Sequence, residues 1–390
     1  MRKNIITGES HVALSAGMAQ AGGFELQTLD TSMMYADGNQ ASISYVSIDA
    51  SVQGENPNSA TSSKKDVVKD QTVTNVTAKF DVGDSLSFGL GTYRAGSIQL
   101  SGGNEPPNPG VHHGGNLAPT ADVDLDTTAL MARYSLNDNF SLIGGITQNA
   151  IKGGNVTTLA GSYDVASKSS TGYIGGVAYS VPEIALRAEL TYQPKTKFAT
   201  TTAYTPSQLG ICKAATADGA DCTNALVYGG YLSNMTTTAS KTNLSLPDTL
   251  AFNFQTGIAE NTLMTASYRK ASWGKSQINI DAPIPIGTEF SDSESYSVGI
   301  GRKFSDKFSA SLTYSKEEGS SSTSKSLFTV SNGSEAVSLG LQYKLDNITV
   351  SGGISRRNVG DVTVTDPSAG QMIYKGNSVT AMGLKIAFAF

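Results

Sequence analysis

The last ten residues of the chain alternate strictly between large apolar side chains and small or polar ones. Counting back from the C-terminus, the large apolar residues are Phe390, Phe388, Ile386, Leu384 and Met382. A period of two predicts an extended strand with one apolar face. A soluble β-sandwich could contain such a strand, but it would rarely end on an exposed aromatic residue, because chain termini are commonly frayed and polar. In a closed sheet surrounded by lipid, the terminal aromatic residues would belong to a girdle.

Fourteen segments of the sequence have strand character of this kind. The alternation is clearest in the twelfth, where large apolar residues from Val337 to Leu345 alternate with small or polar ones. The predicted strands span residues 41–54, 71–81, 85–98, 122–136, 139–152, 170–181, 184–198, 241–257, 261–275, 293–304, 307–319, 334–345, 347–359 and 375–390.

The connections between these segments alternate in length. Short turns are expected at 82–84, 137–138, 182–183, 259–261, 305–306 and 346–347. Long polar loops are expected at 55–70, 99–121, 153–169, 199–240, 276–292, 320–333 and 360–374. All long loops then lie at one end of an even-numbered sheet, which is the pattern of transmembrane barrels. The predicted fold is therefore all-β, a 14-stranded antiparallel transmembrane β-barrel.

The composition agrees with a chain that crosses a membrane as strands. Charged residues make up 16% of the sequence, against about 25% in an average soluble domain. No apolar stretch reaches the roughly 20 residues that a transmembrane helix needs. The mean hydropathy of −0.16 suits a barrel, because its strands also carry polar residues toward the lumen. The formal net charge of −5 and the scattered Lys and Arg residues argue against a nucleic-acid partner.

The N-terminus has the features of a secretory signal. Arg2 and Lys3 supply the positive start, and Ala19-Gln20-Ala21 supplies a small-residue cleavage site. We expect residues 1–21 to be a signal peptide, residues 22–40 to form a short plug or a segment along the periplasmic rim, and residues 41–390 to form the barrel.

The chain has only two cysteines, Cys212 and Cys222, which lie in a stretch rich in turn residues. In an exported protein, an isolated pair of this kind is expected to form a local disulfide. Two free thiols are the alternative. Metal binding is disfavoured because no His or third Cys lies nearby.

Three sets of residues carry a family resemblance. Leu244-Ser245-Leu246-Pro247-Asp248 precedes a turn and strand over 259–268 that end at Ser272-Trp273, and the mature chain would begin Gly22-Gly23-Phe24-Glu25-Leu26. Together with the aromatic last strand, these motifs resemble the FadL-type long-chain fatty-acid transporters of the outer membrane. The resemblance implies a fourteen-stranded barrel that takes up hydrophobic small molecules. It also implies long-chain fatty acids or related hydrocarbons as ligands, bound first by a greasy groove of outer loops.

The N-terminal region departs from the pattern of that family. The resemblance would imply a hatch with an Asn-Pro-Ala motif, which this sequence lacks. Asn56-Pro57-Asn58 falls in the first long loop, whereas Asp37-Gly38-Asn39 is similar to a shortened family variant. Release of ligand by a hatch is therefore not implied for this chain.

Candidates for catalysis are few. His11 falls in the signal, and His112 and His113 fall in a loop rich in Gly and Pro. A Ser-His-Asp hydrolase needs a His close to a Ser, and no predicted strand carries a His. We expect no enzymatic activity, no cofactor and no bound metal, with the two adjacent histidines solvated.

Two groups of residues are candidates for ligand binding. Exposed apolar clusters commonly mark binding surfaces, although the apolar residues of the 199–240 loop could instead pack around a Cys212–Cys222 bridge. Inward-facing cations could anchor a ligand carboxylate, although polar groups line the lumen of any barrel. The apolar candidates are Leu209, Ile211, Leu226, Val227, Tyr228, Tyr231, Leu232 and Met235, and the cationic candidates are Arg187, Lys344 and Lys385.

The expected function is passive uptake of a hydrophobic small molecule across the bacterial outer membrane. The expected partners are that ligand, outer-membrane lipid and lipopolysaccharide, and the barrel-assembly machinery, which would contact the C-terminal strand. We expect a monomer and no nucleic-acid partner. A general diffusion porin for polar solutes and an adhesive or phage-receptor barrel remain the alternatives.

Overall fold

The computed structural model describes residues 24–57, 65–102, 119–158, 161–206, 237–366 and 370–390. Strands dominate these ranges, and none of their helices has the length and hydropathy needed to cross a membrane. Fourteen strands form the barrel. They are β1 (Gln40–Ser51), β4 (Gln71–Val82), β5 (Leu86–Ser101), β6 (Thr120–Ser135), β7 (Phe140–Thr158), β9 (Lys168–Val181), β10 (Leu186–Gln193), β13 (Thr249–Ala259), β14 (Thr262–Ala271), β17 (Ser293–Lys303), β18 (Phe308–Glu317), β20 (Ser334–Leu345), β21 (Ile348–Val359) and β24 (Asn377–Ala389).

The barrel closes between the first strand and the last. β1 pairs with β4 on one side and with β24 on the other, from Gln40 opposite Ala389 to Ser51 opposite Ser378. Every pair of neighbouring barrel strands is antiparallel. Pairing of the first strand with the last closes the sheet, as a membrane-spanning sheet requires. The predicted 14-stranded antiparallel barrel is confirmed.

Several predicted strand boundaries are wrong. The strand predicted to end at 152 continues to Thr158, and the strand predicted to end at 275 ends at Ala271. Two further boundaries are wrong beside prolines. The prediction continued one strand over 184–198 and began the next at residue 241, whereas β10 ends at Gln193 and β13 begins at Thr249. Pro194 and Pro247 lie at these two breaks. A proline has no N–H to donate to a ladder, so it ends the pairing at these places. The residues beyond each break leave the barrel wall and pair with each other as the hairpin β11 (Thr196–Pro206) and β12 (Thr238–Leu246).

Short strands extend and cover the end of the barrel that carries the long loops, which we call the long-loop end. β11 pairs with β8 (Gly161–Val165), and β12 pairs with β15 (Asn279–Asp281), which pairs with β16 (Ile286–Gly287). A separate five-stranded sheet lies in the neighbouring loops. Its members are β2 (Gln53–Glu55), β3 (Lys65–Asp66), β19 (Thr323–Ser324), β22 (Val362–Asp366) and β23 (Gly370–Tyr374). Three 3-10 turns complete the regular structure of the described residues: Ser32–Tyr35, Pro182–Ile184 and Trp273–Lys275.

The outer face of the barrel is a band of exposed apolar side chains. On β20 the alternation predicted from sequence is confirmed, because every second residue from Val337 to Leu345 is exposed. Aromatic rings border the band, including Phe80, Phe140, Tyr179, Phe308, Tyr343 and Phe388 near the short turns and Tyr173, Tyr192, Tyr296 and Tyr314 nearer the long loops. The C-terminal Phe390 is exposed and packs 5.9 Å from Phe80, measured between ring centroids. An apolar belt between aromatic girdles is the surface of a barrel that spans a bilayer, of the kind found in bacterial outer membranes.

Candidate functional site

A small apolar cavity lies at the long-loop end, between the upper parts of β5, β6 and β7 and the sheet that β8, β11, β12, β15 and β16 form. Its volume is about 40 Å³. We refer to it as the apolar cavity. It is lined by Ile98, Val123, Ile151, Val156, Val165, Thr200, Thr242, Leu244, Ile278, Ile280, Ile286, Gly287, Thr288 and Phe328.

The three threonines of the lining present no free hydroxyl to the apolar cavity. The Thr200 hydroxyl donates to the carbonyl of Ala166 at 2.9 Å, and the Thr242 hydroxyl bonds that of Thr202 at 2.5 Å. The Thr288 hydroxyl donates to Gln277 Oε1 at 3.0 Å and accepts the amide of Ile278. Each hydroxyl is therefore committed elsewhere, and no charged side chain is among the lining residues. The cavity offers a ligand only apolar contact.

The motif around residue 248 explains how the wall of this region is built. Pro247 separates β12 from β13, and Leu244, near the end of β12, is buried against the apolar cavity. The backbone carbonyl of Asp248 accepts the amide of Ser272, and its carboxylate accepts the Ser272 hydroxyl at 2.8 Å. These bonds fix the top of the β13–β14 hairpin. The next residue, Trp273, is then buried with its ring 5.1 Å from that of Phe24.

Residues 24–39, which we call the N-terminal segment, run through the lumen of the barrel. At its upper end the segment pairs with β5: the amide of Leu26 donates to Ala95, and the amide of Ser97 donates to Phe24. Gly96 makes this contact possible, because a Cβ atom there would lie 2.4 Å from the Phe24 ring. The segment therefore rests on the bare backbone of β5.

An ion pair crosses the lumen below this contact. Arg269, on the inner face of β14, binds the Glu25 carboxylate at 2.5 Å and also contacts Thr249 Oγ1 at 3.4 Å. Two lumen cavities, of about 150 and 380 Å³, are each lined by both residues of the pair. The larger also contains Arg187, Glu317 and other charged or hydroxyl groups. The lumen beneath the apolar cavity therefore carries charged and hydroxyl groups, which the accessible surface of the apolar cavity lacks.

The lower half of the N-terminal segment is held by charged side chains of the wall. The Tyr35 ring lies between two guanidinium groups, with Cζ of Arg133 4.8 Å and Cζ of Arg187 4.0 Å from its centroid. The hydroxyl of Thr31 donates to the buried carboxylate of Glu189. Lys79 is also buried, and its contacts fix the last turn of the segment. Its ammonium group donates to the carbonyls of Ala36 at 2.6 Å and Gly38 at 3.0 Å and to Asp81 at 2.6 Å.

The ladder between β4 and β5 covers only the part of the two strands next to the short turn that joins them. It runs only from Val82 opposite Leu86 to Val76 opposite Thr92. Above this point β4 pairs only with β1, whereas β5 turns inward and pairs with β6 and with the N-terminal segment. A bulge in β5 between Arg94 and Gly96 accompanies the turn. Pairing resumes nearer the long loops, where Val68, ahead of β4, forms an antiparallel bridge with Leu100 of β5. We call this place the β4–β5 interruption.

The structure separates the cationic candidates from the apolar cavity. Arg187 faces the lumen and stacks on Tyr35. Lys385 is half-buried opposite Ser351 on the inner face of β24, and Lys344 is exposed beside the short turn that follows β20. All three lie toward the short-turn end. The eight apolar candidates from Leu209 to Met235, the two cysteines, His112, His113 and the predicted signal peptide lie outside the described residues.

Sequence reasoning did not single out the lining of the apolar cavity. Its members are spread over eight strands and three connecting stretches, and most of them occupy ordinary apolar positions. Sequence reasoning also missed Lys79 and Arg269, which contact residues of the N-terminal segment far away in the chain. Within the described residues, no group of three or more His, Cys, Asp or Glu side chains is arranged to hold a metal ion.

The barrel fold described above has counterparts among solved structures. A Pseudomonas aeruginosa FadL homologue superposes with a TM-score of 0.73 at 14% sequence identity, covering 96% of this chain and 98% of that one. The chain has the FadL-type barrel fold. The FadL-type fold also appears in the Pseudomonas putida toluene transporter TodX, with a TM-score of 0.64 at 10% identity over 95% of this chain and 96% of that one.

The Ralstonia pickettii toluene transporter TbuX is a third FadL-type structure of this kind. Its TM-score is 0.62 at 11% identity, covering 96% of this chain and 98% of that one. No protein-family model and no curated protein sequence matches the chain. The likeness therefore consists of the shared FadL-type fold, with few residues in common.

Proposed function

We propose that this protein is an outer-membrane channel for the uptake of small hydrophobic molecules, and that its ligands are uncharged hydrocarbons rather than fatty acids. The observation that carries the proposal is the apolar cavity, whose threonine hydroxyls are all bonded elsewhere and whose lining contains no charge. Transfer of apolar surface from water contributes about 25 cal/mol per Å². That gain is the driving force for capture, and no catalytic step is part of the proposal.

The preference for an uncharged ligand follows from the position of the cations. A fatty acid bound in the apolar cavity would bury a carboxylate without a partner, which costs far more than its acyl chain gains. Lys344 and Lys385 lie at the opposite end of the barrel. The proteins of similar fold that are described as toluene transporters support the same ligand class. Binding of a fatty acid, with its carboxylate held by Arg187, Lys344 or Lys385, is therefore the less favoured alternative.

We assign capture to the loop that leaves the apolar cavity. β11 and β12 supply Thr200, Thr242 and Leu244 to the lining, and the chain between these strands carries the apolar residues predicted to form the capture surface. A ligand held by Leu226, Tyr228 and Tyr231 would therefore reach the cavity along the same hairpin. A Cys212–Cys222 bridge in that loop, if formed after export, would restrain it.

We propose that the ligand leaves sideways into the membrane. The N-terminal segment and a lumen lined by charged side chains lie below the apolar cavity, so passage to the short-turn end would bring the ligand against charged groups. The β4–β5 interruption offers a shorter path, because Ile98 of the cavity lining belongs to the inward-turned part of β5. The ligand then moves from one apolar environment to another.

The proposal is tested by placing a charge in the apolar cavity. Ile280 is 3% exposed and lies on β15, outside the barrel wall, so Ile280→Asp should leave the barrel assembled. A carboxylate there should reduce toluene uptake by cells that express the protein by at least tenfold. Asn279→Asp adds the same charge one residue earlier on the exposed side of β15 and serves as the control. Equal uptake by the parent and by a correctly folded Ile280→Asp variant would refute the assignment of the cavity.

A further inference from the structure

The apolar cavity contains one aromatic side chain among its described lining residues, and that side chain does not come from a strand. Phe328 lies in the irregular stretch between β19 and β20 and is 9% exposed. The other side chains of the lining, such as Ile98, Ile151 and Leu244, project mainly from strands whose backbones are fixed by ladders. Phe328 is held differently, because its amide donates to the hydroxyl of Ser326 at 3.3 Å within a local turn.

The cavity is too small to hold a ring beside Phe328. Its volume is about 40 Å³, whereas an apolar cavity that binds benzene measures about 150 Å³. Either the wall strands separate or a side chain moves before a ring enters. Separating paired strands breaks backbone hydrogen bonds, whereas turning Phe328 out breaks no ladder. Phe328, on a stretch outside the ladders, can therefore make room for a ring without opening the sheet.

We propose that Phe328 occupies the ligand's place in the empty protein and that a single-ring hydrocarbon binds by displacing it. The benzyl side chain of Phe328 has the size and chemistry of toluene, so the space it leaves matches a ligand of that class. Phe328 would then determine the size of the ligand that the cavity admits. This inference rests on the proposed function of the apolar cavity and adds the residue that controls its occupancy.

If Phe328 is displaced by the ligand, Phe328→Ala should raise the affinity for the ligand, whereas if Phe328 is a fixed part of the wall, the same substitution should lower it. If Phe328 must leave, Phe328→Ala removes the cost of exposing it, and a single-ring ligand should bind about tenfold to a hundredfold more tightly, the range for one large apolar side chain. If Phe328 is a fixed part of the wall, the same substitution removes contacts and weakens binding. Phe328→Leu keeps much of the volume filled and should show a smaller gain.

We would measure the dissociation constant of fluorobenzene by fluorine NMR with purified protein in lipid nanodiscs, using empty nanodiscs as the reference. Leu327→Ala is the matched control, because Leu327 packs against the same apolar core without lining the cavity. Heat-dependent electrophoretic mobility would show that each barrel is folded. Tighter binding by Phe328→Ala, with no gain for Leu327→Ala, supports displacement.

Unchanged or weaker binding by a folded Phe328→Ala variant overturns displacement. The Ile280→Asp variant separates the two levels of the argument. If Ile280→Asp abolishes binding while Phe328→Ala does not tighten it, the cavity is the site and Phe328 is only its wall. If Ile280→Asp binds fluorobenzene as the parent does, the apolar cavity itself is not the site, and the present inference fails with it.

Discussion

The ion pair between Glu25 and Arg269 is the contact whose loss should change the lumen most. Glu25 belongs to the N-terminal segment and Arg269 to the wall strand β14, and their side chains are 20% and 17% exposed. Because both residues line the cavity of about 150 Å³ and the cavity of about 380 Å³, the pair lies where the two meet. Removing it should let the upper end of the segment leave its position and connect the two spaces.

The expected rise in the population with an undocked N-terminal segment follows from the bond that is lost and from the contacts that remain. A hydrogen bond to a charged group contributes about 1.5–3 kcal/mol. After Arg269→Ala, residues 24–27 would keep the backbone bonds to Ala95 and Ser97 and the packing of Phe24 on Trp273. Since about 1.4 kcal/mol is a factor of ten, the undocked population should rise by about tenfold to a little over a hundredfold.

Single-channel recording in planar bilayers measures this population directly. Arg269→Ala and Glu25→Ala should each open at least tenfold more often than the parent, and the double variant should add little to either. Lys270→Ala is the matched control, because the next residue points outward and pairs with Glu294 at 2.7 Å. Opening at the parent frequency in Arg269→Ala, or an equal rise in Lys270→Ala, would show that the pair does not close the lumen.

Two further changes test the other end of the N-terminal segment and the path into the membrane. Replacing the buried Lys79 by Met removes three donated hydrogen bonds. The attachment of the N-terminal segment should weaken by at least about 3 kcal/mol, which should appear as faster hydrogen exchange of the amides at 36–39. Unchanged exchange would mean that other contacts fix this turn. Asn75 faces inward on the part of β4 that pairs with β1 but not with β5. Asn75→Trp should therefore obstruct the β4–β5 interruption and lower hydrocarbon uptake several-fold. Thr265→Trp adds the same bulk on the inner face of β14 and should leave uptake unchanged if exit is lateral. Normal uptake by Asn75→Trp together with reduced uptake by Thr265→Trp would favour passage through the lumen.

The barrel itself follows from sequence because its pattern is local. Every second residue of a strand faces lipid, so alternation in ten to twelve residues such as 334–345 determines which side chains face outward. The alternating loop lengths then give the strand count. Two of the wrong boundaries arose where the local pattern continues past a proline, at Pro194 and Pro247, into strands that pair outside the barrel.

The contents of the barrel do not follow from sequence in the same way. Arg269 meets Glu25 across 244 residues, and Thr31 meets Glu189 across 158. The local sequence pattern around an inward-facing Arg or Lys is the same whether the side chain faces a water-filled lumen or binds another segment of the chain. The apolar cavity is harder still to predict, because its lining uses positions that read as ordinary core. Only the committed hydroxyls of Thr200, Thr242 and Thr288, which depend on tertiary contacts, distinguish it from a polar pocket.

The β4–β5 interruption and the N-terminal segment depend on each other. An unpaired backbone group facing lipid costs several kcal/mol, so a wall cannot lose part of a ladder without compensation. Here β5 turns inward at its bulge, and residues 24–26 take the place of β4 as the partner of Ala95 and Ser97. Gly96 permits the contact by leaving room for the Phe24 ring. A segment that only filled the lumen would need no such pairing. Because this one completes the hydrogen bonding of β5, any movement of its upper end must also change the strand that borders the interruption. The segment therefore couples the lumen to the apolar path through the wall.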